Sequence, residues 1–171
     1  MGISTKMQDV LNKQLNLEFY SAYAYLSMSA YLESINLKGF AGWMMNHSSE
    51  EMVHAMKIYH YILDRDGEVK LAPIAKVPQK WKSVLAAVED AYKHEKVVTK
   101  SIYDLVGSAR KENDVATEVF LQWFITEQVE EEKITQELGN RIKMVGESKQ
   151  ALMMFDMELG KGTVGAEEKK A

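Results

Sequence analysis

Core-type residues recur along the chain at steps of three and four, the inward stripe of an α-helix, in four long stretches. The first row runs Leu11, Leu15, Glu18, Ala22, Tyr25 and Leu32, and the second Phe40, Met44, His47, Glu51, His54, Ile58 and Ile62. The third holds Val88, Glu95, Val98, Ile102 and Leu105, and the fourth Phe124, Glu131, Leu138, Ile142 and Val145. The pattern predicts helices from about Ser4, a candidate N-cap, to Ser34, and from Leu37 to Asp66, joined by a short turn near Asn36. A third runs from about Trp81 to Lys111, and a fourth follows the Glu112-Asn113-Asp114 turn and ends near Val145-Gly146. A short fifth covers about Ser148 to Leu159.

The chain's only prolines, Pro73 and Pro78, lie in the one long connection, GEVKLAPIAKVPQKW. Short joints make antiparallel hairpins. An extended connection is long enough to run the length of a bundle, at about 3.3 Å per residue. The expected fold is all-α: a four-helix bundle, up-down, long crossover, up-down, with a short fifth C-terminal helix. One domain should fill residues 1–160, and the Gly-rich, charged composition of 161–171 predicts a disordered tail.

Composition narrows the chemistry. The 171 residues are 46% hydrophobic and 27% charged, which suits one soluble domain with a substantial core. There is no apolar run long enough for a membrane span and no secretory leader, so the expected compartment is the cytoplasm. With no cysteine, disulfides, thiolate metal sites and cysteine nucleophiles are excluded. A net charge of −4 argues against a nucleic-acid partner.

Four helices therefore each place one acid, Glu18, Glu51, Glu95 or Glu131, in an otherwise core-type row. Buried like charges repel and raise one another's pKa unless cations offset them. Glu51 and His54 form a Glu-x-x-His step on one helical face. Oxygen-rich ligation with an imidazole is the chemistry of iron or manganese. Tyr25 follows Glu18 by seven residues, about 20° around an ideal helix, so its phenol is within reach of bound metal. Trp123 reads as a core residue with a modest redox option, and His47 as a lining residue; His60 and His94 fall off the stripe.

The segments LNLEFYSAYAYL, EEMVHAMKIY, YKHEKVVTKSI and FLQWFITEQVEEE, over about residues 4–160, resemble the non-haem ferritins of bacteria and archaea. The resemblance implies an iron-storage protein and ferroxidase that oxidises Fe(II) with O2 or peroxide at a di-iron centre within each subunit. It would place Glu18, Glu51 and His54 on the first iron, with Glu51 bridging, and Glu95 and Glu131 on the second, with Gln128 beside them. Glu50, Glu127 and Glu130, with Glu131, match the family's third iron site. No second Glu-x-x-His occurs on the fourth helix, so the second iron should be held more loosely and haem is not expected; Met52 reads as packing between subunits. The family further implies a homo-oligomeric shell of 24 subunits around ferric mineral, with the fifth helix near a four-fold axis. Asp114 and Glu118 are candidates for lining a pore.

Overall fold

The computed structural model describes residues 2–162, and among them every regular element is helical. The helices are α1 (Thr5–Ser34), α2 (Lys38–Asp64), α3 (Val84–Lys111), α4 (Val115–Val145) and α5 (Lys149–Gly160). The tail expected over 161–171 lies, from residue 163 onward, outside the described residues. No described helix is long and apolar enough to cross a membrane.

The boundaries follow local chemistry. Ser4, Asp114 and Ser148 each cap a helix with a side-chain oxygen that accepts a backbone N–H three residues on. Asn36, Asp66 and Asn113 adopt positive φ at the turns, a conformation their short polar side chains tolerate. The third helix begins three residues later than the expected Trp81. Ser83 is its N-cap, while Trp81 belongs to the crossover: its carbonyl accepts from the Tyr31 hydroxyl and its indole donates to Asp90.

Polar groups along α1 pin the crossover along its length. Gln8 accepts from Glu68 N, Asn12 bonds both Glu68 O and Lys70 N, and Asn16 donates to Ala72 O. Ser27 then donates to Pro78 O and Tyr31 to Trp81 O. The connection thus climbs α1 from its start to its end. α2 and α3 consequently run in the same direction, and the second hairpin runs down-up in the frame of the first.

Helix α2 has no side-chain cap of its own at Leu37. Asp156 of α5 supplies one, accepting the Phe40 N–H at 2.9 Å, and Phe155 packs edge-on against Phe40. Two apolar clusters fill the bundle. One gathers Met28, Leu32, Phe40, Met44, Val88 and Leu138. The other gathers Leu11, Leu15, Ile58, Ile62, Ile102 and Phe124. Between them, at mid-bundle, lies a polar layer.

Candidate metal centre

Every residue of the four predicted rows is buried, except Val145, which is half-buried. The acids are buried with their rows: Glu18 and Glu95 are fully enclosed, and Glu51, Glu131 and His54 nearly so. Their helices supply one acid each, at the level where both apolar clusters stop.

The tightest grouping joins α1 to α2. Glu18, Glu51 and His54 each offer a ligand atom, and these atoms all lie within 4.8 Å of one another. Gln14 Nε2 donates to Glu18 Oε1 at 2.7 Å, and no N–H or hydroxyl donates to Glu18 Oε2. Glu51 Oε2 sits 3.3 Å from His54 Nδ1 without hydrogen-bond geometry. Buried carboxylate oxygens with no donor are costly unless a cation completes them.

The opposite wall comes from α3 and α4. Glu95 Oε1 accepts from the Tyr25 hydroxyl at 2.5 Å, and Glu95 Oε2 accepts from Gln128 Nε2 at 3.1 Å. Gln128 also touches Thr99, whose hydroxyl donates to Glu132. Glu131 Oε2 lies 3.6 Å from His47 Nε2, and the other nitrogen of that ring lies 3.2 Å from Glu50. His47 packs against Trp43 at a tilt of 42° and meets Tyr25 edge-on, so it lines the site as expected.

Electrostatics follow burial. Desolvation is the largest influence on Glu18 and pushes its pKa well above the ordinary carboxylate value; repulsion from Glu51 adds to it, and the Gln14 hydrogen bond opposes it. Desolvation likewise raises Glu51, reinforced by Glu95. The Tyr25 phenol is raised by burial and then by Glu95, Glu51 and Glu131. The interior is short of positive charge, and an added divalent cation would reverse each of these penalties.

Other predicted residues stand further out. Glu50 and Glu127 are half-buried, with Glu127 Oε1 4.0 Å from His54 Nε2, and Glu130 is half-buried on α4. Among the described residues these three do not join the close ligand group. Trp123 is not core: it is 36% exposed, and its ring covers His54 edge-on at 5.2 Å with Lys57 above it at 4.3 Å. Phe124 holds the inward position, and the neighbouring residue is turned about 100° away. Asp114 is engaged by Arg65 and its own helix, and Glu118 by Arg110 at 2.7 Å. Met52 is exposed on α2, and His94 lies outside the site, bonded to Ser21.

Sequence reasoning passed over Gln14. Its signal was present: it stands one helical turn before Glu18, on the same face, and is fully buried.

Residues 8–145 match the family described as a ferritin-like domain. A solved open-pore ferritin from the hyperthermophilic archaeon Archaeoglobus fulgidus is 48% identical, with a TM-score of 0.92 over 93% of this chain and 98% of that one. A bacterial non-haem ferritin from Bacteroides fragilis is 40% identical over 158 residues, covering 92% of this chain and 98% of the relative. One from Staphylococcus aureus is 34% identical over 165 residues, covering 96% and 99%.

Proposed function

The chain belongs to the prokaryotic non-haem ferritins, an iron-storage and ferroxidase family, and on that footing we propose that its mid-bundle acids form the oxidation centre for Fe(II). The observation that carries the assignment is the buried trio Glu18, Glu51 and His54, with ligand atoms within 4.8 Å and two carboxylate oxygens lacking any donor. Iron is the substrate and cargo here. Glu18, Glu51 and His54 hold the first Fe(II), and Glu51, which feels the charge of both Glu95 and Glu131, bridges to a second held by those two.

Anionic oxygen ligands favour the harder Fe(III) product over Fe(II), which lowers the barrier to losing one electron from each iron to O2 or peroxide. Tyr25 and Gln128 each donate to a different oxygen of Glu95 and fix its orientation. His47 stands against Glu131 on the same wall. The two sides are unequal: the first has an imidazole among its candidate ligands, while the fourth helix contributes a carboxylate and an amide. Weaker retention at the second iron suits a centre that must pass its product on. Glu50, Glu127 and Glu130, half-buried beside Glu131, provide a third iron position on the way out.

Ferritin relatives form oligomeric shells. Exposed Tyr23, Leu26, Met45 and Met52 on α1 and α2 support an equivalent contact here, in a cytoplasmic assembly of 24 copies with α5 near a four-fold axis. The test is to add Fe(II) in air to the purified apoprotein and pass it over a sizing column. Ferric absorbance should elute with a large assembly; a monomer without protein-bound mineral would overturn the reading.

A further inference from the structure

Glu18 is held asymmetrically, and the holding chain reaches to α3. The Ser101 hydroxyl donates to Gln14 Oε1 at 2.5 Å, and Gln14 Nε2 donates to Glu18 Oε1 at 2.7 Å. A carboxylate can only accept, so Gln14 helps it in one of its two amide orientations and repels it in the other. The acceptor-only carboxylate selects the helpful one, and Ser101 braces it by donating to the amide oxygen that this orientation turns away from Glu18. Gln14 is fully buried and Ser101 half-buried, so water does not readily take over either role.

We propose that Gln14, braced by Ser101, is a positioning residue that anchors Glu18 Oε1 and so presents the donor-free Oε2 to iron. This inference rests on the assignment of Glu18, Glu51 and His54 as the first iron site. Only Oε2 is without a donor, and the trio closes within 4.8 Å. Without the clamp, Glu18 can turn about its terminal bond or offer both oxygens. Its fit to a cation shared with Glu51 and His54 is then lost.

Anaerobic Co(II) titration of the assembled apoprotein, followed by the visible d–d bands, separates the two claims. Wild-type protein should bind a first equivalent that His54→Ala loses; if wild type shows no such binding, the iron-site assignment itself fails. With wild-type binding established, Gln14→Leu should weaken the first equivalent roughly 10- to 100-fold, as removal of outer-shell partners does, and alter the band shape. Ser101→Ala should move both in the same direction by less, and Ser101→Thr, which keeps the hydroxyl, should restore them. Wild-type affinity and spectrum in both Gln14→Leu and Ser101→Ala would overturn the positioning role. If Gln14→Leu does not assemble, the Ser101 pair decides alone: an unchanged Ser101→Ala overturns the inference.

Discussion

The Tyr25 hydroxyl donates to Glu95 Oε1 across 2.5 Å, tying α1 to α3 inside the bundle. Burial and the surrounding carboxylates push the phenol's pKa up, so at neutral pH it stays protonated and the bond has a fixed direction. Tyr25→Phe keeps the ring and its packing but deprives Glu95 of a donor. The initial rate of Fe(II) oxidation should fall roughly 10-fold, the low end for loss of a ligand's hydrogen-bond partner. Stopped-flow absorbance with circular dichroism checks this; an unchanged rate would reduce Tyr25 to packing.

Loss of a ligand should cost more than loss of its partner. Glu18→Ala and His54→Ala each remove a corner of the trio, and initial oxidation rates should drop by more than the roughly 10- to 100-fold seen when supporting residues are removed. The helical signal should remain, because apolar clusters on both sides of the polar layer hold the bundle. Glu130→Ala should leave the first turnover alone and slow later ones. Equal initial rates in wild type, Glu18→Ala and His54→Ala would place the chemistry elsewhere.

The same carboxylates set a pH signature for the apoprotein. Glu18 has a folded-state pKa raised above its ordinary 4.5, so the folded state holds its proton more tightly than the unfolded state does. Its burial therefore costs nothing below the ordinary value, and the cost grows as pH rises from there toward the folded pKa. Glu18→Gln removes that cost. Apo Glu18→Gln should melt higher than wild type at pH 7.5, and the gap should close as pH falls to 4. Divalent cation should reverse the order at pH 7.5, because wild type can bind it at this site. A gap independent of pH would contradict the burial of Glu18 as a charged group.

What the sequence disclosed was whatever repeats along one helix. Glu18, Glu51, Glu95 and Glu131 were legible because each sits at a three-four step from apolar neighbours, and burial follows from that step alone. Partners across helices were not legible. Glu95 is three-dimensionally adjacent to Tyr25, 70 residues away in sequence, and no periodicity encodes that distance. Gln14 failed for another reason: an amide in an inward position has no charge to make it conspicuous, although its spacing to Glu18 was open to view. Trp123 misled because a large aromatic suggests core, while its register, one step off Phe124, faces outward across His54.

The contact between α5 and α2 is the least legible of these and yields a sharp prediction. A Cβ added to Gly39 would stand 1.7 Å from the Asp156 carbonyl oxygen and 2.9 Å from Gly160 N, both backbone atoms of α5. No rotamer can relieve that, so Gly39→Ala must shift α5 as a body or expel it. The Phe40 amide would then lose Asp156, its only side-chain cap among the described residues, and Phe155 would lose its edge contact with Phe40. Asp156→Ala removes the cap alone, for about 1 kcal/mol. Gly39→Ala adds the steric conflict, bringing the cost to about 2–4 kcal/mol in all. Asp156→Asn keeps an acceptor and should stay near wild type. Melting temperatures should fall in the order wild type, Asp156→Asn, Asp156→Ala, Gly39→Ala, with amide exchange at Phe40 accelerated in the last two. A Gly39→Ala protein as stable as wild type would mean that α5 does not dock on α2 as described.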